Sequence, residues 1–417
     1  MPNRREFILG TAGTGMGLSQ ARLPAEWKAL TDPETGRKIK QLTSAPANSY
    51  PLYYFSPSVT ADNQYLIFHS ERSGWVELYR LDLTNGEIVQ LTDGRTRDSG
   101  WAIWCEPHLR GIYNHLSALN VAKSEVYYFQ DNQIRRVDLA TLADTLVHEI
   151  SGRMPIGQSM FSPDGRHFAF IHADREMFRQ AYSDREALEN MKLFRWTGHQ
   201  QWRNSVPTTI GAIDTETGRY ADVIQLSYHV HHALFADNNT LLVNHIQNAA
   251  GMWMVRLDGT GVRILRPPDQ HGSLVHQVVT QRGIFYEAVG HENGKTTNWL
   301  GRYDLAQHTF EEVPLPANGY VHTGFDPAGR FLFFENHGDT HELMSLHFPF
   351  VAGRTHARKL RTMAKYPRPG QRYHAHPFLS PDRRWLIYTE PIDGISQVCA
   401  LDVQDLVDLN EYWDIRS

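Results

Sequence analysis

The stretch "GQRYHAHPFLSPD", residues 370 to 382, places Gln371, His374 and His376 just ahead of a Ser-Pro-Asp turn. Alternate residues of a strand share one side, so His374 and His376 point the same way. Two imidazoles and an amide aimed at one spot read as ligands. Earlier in the chain His276 stands at the matching distance from its own turn, which makes three nitrogen donors and one amide oxygen. Without thiolates such a set is borderline to hard and suits manganese, zinc, iron or nickel, with positions left for substrate oxygens. Glutamine is a poor zinc ligand, so manganese is favoured. The competing reading is four residues that hydrogen-bond one another and hold no metal.

The elements that must position these groups follow from a repeat in the turns. "FSPDGRHFAFIH" (161 to 172), "FDPAGRFLFFENH" (325 to 337), "FLSPDRRWLIYTE" (378 to 390) and "VTADNQYLIFHS" (59 to 70) share one grammar: apolar strand, polar turn, apolar strand. Weaker copies start near 119, 234 and 278, which makes seven. Closing halves such as "LYRLDLTNGEIVQLT" recur between them. Four short strands every ~40 to 50 residues is the pattern of a β-propeller blade. The last blade lacks a fourth strand, and "TDPETGRKIKQLTS" (31 to 44) supplies an orphan copy. The expectation is an all-β, seven-bladed propeller over residues 26–417, its ring closed by an N-terminal strand that completes the last blade and removes an exposed edge. Two stacked β-sandwiches would not explain seven copies.

Aligned on the turn, the residue five places earlier is Ser56, Ser117, Gln158, His231, His276, His322 or His376. That position begins each innermost strand, at the mouth of the central channel. A second set, His69, His172, His245, His291 and His337, ends the second strands, which return to the same face. His172, His245 and His322 are candidates for substrate contact there. Blade three carries an insertion, residues 173–206, whose start has helical periodicity; a loop of that length tends to be a lid or binding element. It also carries Arg175 and Arg203, either able to grip a carboxylate with two donors.

Composition sets the outer limits. The 417 residues are 41% hydrophobic and 21% charged with a net charge of -5, so nothing draws the chain generally to nucleic acid. No run approaches the ~18 apolar residues of a membrane span. Two cysteines exclude a disulfide framework, while 22 histidines are unusually many. Residues 1–25, with Arg4 and Arg5 before "FILGTAG", resemble a twin-arginine export signal, which implies a periplasmic or extracellular protein; a cytoplasmic one is the alternative. Oligomeric state is not legible.

These residues resemble the oligogalacturonate lyase family of polysaccharide lyases, which are seven-bladed propellers. The family's Gln-x-x-His-x-His-Pro motif matches Gln371, His374, His376 and Pro377, and a further metal-binding histidine falls on His276. The resemblance implies a manganese site of these four, a catalytic histidine at His231, and cleavage of uronic-acid oligosaccharides by β-elimination. An arginine used by the family has no secure counterpart, and Arg203 is the nearest substitute. The sequence also departs from the family at His232 and Ala375, where prolines are usual. The rival classes are a propeller glycoside hydrolase, which needs a carboxylate pair that the inner-strand positions lack, and a non-catalytic carbohydrate- or protein-binding propeller.

Overall fold

The structure, a computed structural model, describes residues 21–93, 111–112, 116–181, 207–227, 230, 232–244, 251–267, 273–292, 295–315, 322–337, 340–347, 357–365 and 373–408. Within these, seven antiparallel sheets follow one another along the chain. Each runs outward from an inner strand in sequence order, as in blade four: His232–Asp237, Thr240–Asn244, Met252–Arg256 and Arg263–Arg266. This is the seven-bladed propeller anticipated from the repeat. No helix among the described residues is long and apolar enough to cross a membrane.

The turn grammar has a physical basis. In blades one, three and seven a hydroxyl at the turn start donates to an aspartate two residues on, as Thr60 to Asp62, Ser162 to Asp164 and Ser380 to Asp382. The same oxygen accepts the N–H of the residue opening the second strand: Tyr65, His167 and Trp385. One Ser/Thr-x-Asp unit thus closes the hairpin and sets its register.

Second strands are apolar on both faces because every sheet is packed between two neighbours. In blade one Leu66 and Phe68 join a core with Ile387, Val398 and Ala400 of blade seven, while Ile67 faces blade two beside Val126 and Tyr128. The period of two therefore assigns alternate residues to alternate interfaces.

Ring closure is as anticipated: Lys38–Gln41 pairs with Ile395–Asp402, Ile39 lying opposite Leu401. The N-terminal segment does more than the orphan-strand reading allows, because Lys28–Thr31 adds a fifth strand outside it. The turn between them is held by Asp32, which accepts the Thr35 N–H and pairs with Arg361 of blade six at 2.7 Å. A further short strand, Arg22–Leu23, extends blade one. The insertion of blade three opens with a helix, Arg175–Ala181, directly after the second strand, and rejoins the sheet at Thr208–Asp214. Residues 1–20 and 182–206, with most of the export-signal reading and the rest of the insertion, lie outside the described residues.

Candidate metal centre at the propeller axis

Side chains from blades that are not neighbours can meet only where the inner strands converge. Tyr53 of blade one lies 5.8 Å (ring centroids) from His232 of blade four, 6.3 Å from His322 of blade six and 5.1 Å from His376 ahead of blade seven. These contacts mark the axis. Around it His322 is central, with centroids 4.5 Å from His276, 4.7 Å from His374 and 4.2 Å from His376. Tyr54 stacks on His376 at 5.6 Å and closes the group from below with Tyr53 and Phe55. His276, His322 and His376 are buried, whereas the His374 side chain is 24% exposed and forms the solvent edge.

Local backbone explains the convergence. His276 and His376, at the same place in their blades, have φ of 56° and 43°, the left-handed region that non-glycine residues avoid. Such conformations cost about 1 to 3 kcal/mol each and persist only where surroundings impose them. Here they break the pleat and turn an imidazole to the axis; in blade five the register also slips between Val275 and Val278. Blade six reaches the same point differently. A Cβ on Gly324 would meet the Pro377 carbonyl oxygen at 2.0 Å, so only glycine lets the strand that carries His322 lie against the segment that carries His376.

Behind the imidazoles stand two fully buried carboxylates. His276 Nδ1 lies 2.6 Å from Glu287 Oε2, and His322 Nδ1 bonds Glu335 Oε1. An Nδ1–H donated to a carboxylate fixes the ring and leaves the Nε2 lone pair facing the axis, the arrangement that presents histidine to a metal. Glu335 also meets His374 Nδ1 at 3.1 Å and accepts the Ala375 N–H at 2.9 Å. Burial alone would raise the Glu335 carboxyl, but the charges of His374, His322 and His337 and the His322 bond hold it well below the usual range. Burial pushes His322 well below the ordinary imidazole value, against the pull of Glu335. Burial raises Tyr54, with Tyr53, Glu287 and Glu335 adding to it, and the phenol keeps its proton.

This donor set fits a divalent transition metal. Ligating atoms of His322, Glu335 and His374 lie within 4.8 Å of one another, all are imidazole nitrogen or carboxylate oxygen, and the rings are already oriented.

The structure therefore gathers four of the residues singled out in the sequence: His276, His322, His374 and His376. His172 goes elsewhere. It lies 2.7 Å from the Tyr220 hydroxyl and 3.2 Å from Arg153 Nη1, in a blade-three network completed by Asp222. Burial first, then Arg153, lowers its pKa to about 4, with Asp222 opposing. Arg175 begins the insertion helix, its N–H bonded to the Gly152 carbonyl at 3.0 Å. His231, Arg203, His245 and Gln371 lie outside the described residues. His232 is buried edge-on to Phe55 at 4.9 Å, so its ring packs against the axial aromatic group. Sequence reasoning missed Glu287, Glu335 and the Tyr53-Tyr54-Phe55 floor; the available signal was a glutamate inside an apolar second strand, "IFYE" and "LFFE", in two histidine-bearing blades.

Fold and site together define a seven-bladed propeller with histidines gathered on its axis and backed by carboxylates. No protein-family model matches the chain. An oligogalacturonide lyase of Pectobacterium atrosepticum is 20% identical over 411 residues, spanning 93% of this chain and 98% of that protein. An oligogalacturonate lyase of Dickeya dadantii is 21% identical over 409 residues, with the same coverage. A solved oligogalacturonate lyase in complex with manganese superposes with a TM-score of 0.74 at 19% identity, over 92% of this chain and 97% of that one. Over nearly its full length the chain is similar to oligogalacturonate lyases, and it shares the seven-bladed propeller fold of the solved ones.

Proposed function

We propose that the protein is a metal-dependent lyase that cleaves uronic-acid-containing oligosaccharides, of the oligogalacturonate type, by β-elimination. The observation that carries this reading is the group of four imidazoles at the axis, two of them fixed by buried carboxylates, in a chain collinear with oligogalacturonate lyases. His276, His374 and His376, with Gln371, are the assigned ligands of a divalent ion, manganese by preference. His322, placed by sequence among substrate-facing residues, is central enough to join them.

The chemistry needs a weakly acidic proton made acidic. The C5 hydrogen of a uronate lies next to a carboxylate whose charge opposes carbanion formation, and a divalent metal supplies the neutralisation. His231 takes the C5 proton, the C5–H pair forms the C4–C5 double bond, and the C4–O bond breaks, the oxygen leaving on the neighbouring sugar's anomeric carbon, where a proton from solvent completes its new hydroxyl. Arg203, or Arg175 at the insertion helix, pairs with a substrate carboxylate through two donors. His245 and His172 complete the substrate-facing set read from the sequence; the structure holds His172 in its own sheet against Arg153 and Tyr220.

The test follows galacturonate oligomers by the ultraviolet absorbance of the unsaturated product, beside elemental analysis of the protein. His374→Ala is expected to lose the axial manganese and the absorbance together. His231→Ala is expected to keep metal and lose about 10²- to 10⁴-fold in rate, the usual contribution of a general base. Metal without any unsaturated product in the unmodified protein would overturn the lyase reading.

A further inference from the structure

We propose a second cation site, separate from the axial group, formed by Glu335, His337 and His341 and built for a divalent transition metal of the zinc type. It stands on geometry and does not depend on the lyase reading.

The segment "ENHGDTH", 335 to 341, is the end of one blade-six strand, Phe331–His337, and the start of the next, His341–His347. Strand period puts Glu335 and His337 on one face. The register sets His337 directly opposite His341, so the hairpin delivers all three side chains to one side. The two rings stack, 4.8 Å apart and 12° from parallel, which aligns their edges. Both present Nε2 to a single oxygen, Glu335 Oε2, at 3.4 Å from His337 and 3.3 Å from His341. The ligating atoms of the three residues all fall within 4.8 Å of one another.

Those distances bear on two readings, since the His341 Nε2–Glu335 Oε2 contact also counts as a long hydrogen bond. Hydrogen bonds between imidazole and carboxylate close to about 2.7 to 2.9 Å. Donors arranged tetrahedrally around zinc at about 2.0 to 2.1 Å stand roughly 3.3 to 3.4 Å from each other. Both Nε2–Oε2 separations match the second value.

Glu335 is suited to serve two groups. Its Oε1 faces His322 and His374 of the axial group; its Oε2 faces His337 and His341 and takes the Ala375 N–H, which uses one of two lone pairs. His341 is buried, and the His337 side chain is 22% exposed with its Nε2 buried inside the group. Two histidines and one carboxylate make a recurrent ligand set for zinc.

The decisive experiment strips the full-length protein with a chelator, adds Zn²⁺ alone, removes excess by desalting and counts zinc by elemental analysis. The variant carrying both His337→Gln and His341→Gln is expected to hold one ion fewer than the unmodified chain, and equal counts would overturn the proposal. Should that variant fail to fold by circular dichroism, Co²⁺ replaces the count. Tetrahedral visible bands that survive His374→Ala support a site outside the axial group; bands absent, or lost with His374, overturn it.

Discussion

One position in the repeat carries His276, His322 and His376 in blades five and six and before blade seven, and Ser56, Ser117 and Gln158 in blades one to three. All six are buried, so exposure does not distinguish the two arcs. Partners do. Ser117 lies 3.1 Å from His69 Nε2, and Ser56 Oγ accepts the Leu119 N–H at 3.4 Å: neutral bonds that join neighbouring blades. His276 and His322 instead meet buried carboxylates of their own hairpins. The strand-end histidines divide the same way, since His69 stacks on Tyr50 and His172 sits in a tyrosine and arginine network, while His337 faces Glu335. A propeller repeats its backbone seven times, yet among the described residues the imidazoles gather at the axis along the arc where a carboxylate stands behind the ring.

The sharpest way to break this contrast is to remove the charge and keep the shape. Glu335→Gln takes away the carboxylate that His322, His374, His337 and His341 all face. Losing an orienting carboxylate typically weakens metal binding by about 10- to 100-fold. A buried polar network left partly satisfied costs about 1 to 3 kcal/mol besides. Titration with Mn²⁺ and chemical denaturation read the two effects. On the opposite arc Ser117→Ala is expected to leave metal affinity unchanged and to cost about 1 kcal/mol or less. Equal effects at both residues would mean that the arcs do not differ in kind.

A smaller effect sharpens the same contrast through the backbone. Gly324→Ala adds one methyl against the Pro377 carbonyl, an atom that cannot rotate away. Overpacking of this sort costs about 1 to 3 kcal/mol. Because the displaced segment carries His376, Mn²⁺ affinity is expected to fall along with stability. A variant that loses stability but binds metal normally would show that the approach of the two strands does not position His322 against His376.

How much of this was legible follows from where each signal lives. The blades were readable because the Ser/Thr-x-Asp turn is a local hydrogen-bonded unit, and its side chains are the same ones that recur in the sequence. The histidines were readable once that turn served as a ruler. Glu287 and Glu335 were not, because a lone glutamate in an apolar strand has no local signature and gains meaning only from the histidine across its hairpin. The left-handed backbone at His276 and His376 was likewise hidden, since histidine does not announce a positive φ as glycine does. The extra N-terminal strand, Lys28–Thr31, is exposed along its length, so hydrophobic periodicity could not report it. His172 shows the converse: its place at a strand end was clear, but Arg153, Tyr220 and Asp222, which claim it, come from other strands of its sheet.

That residue supplies the smallest and most specific test. His172 has a folded pKa of about 4 against about 6.5 for an unstructured imidazole. Between those values the unfolded chain binds a proton that the folded chain refuses, so stability falls as pH drops through the window and levels off near its lower end. The loss from this one ring is at most about 3 kcal/mol. His172→Gln can keep a hydrogen bond to Tyr220 without titrating. Its melting temperature is therefore expected to decline less than that of the unmodified protein between neutral pH and about pH 4, while its Mn²⁺ affinity stays the same. An unchanged acid slope would mean that His172 takes up its proton in the folded state, and a change in Mn²⁺ affinity would tie blade three to the axial group after all.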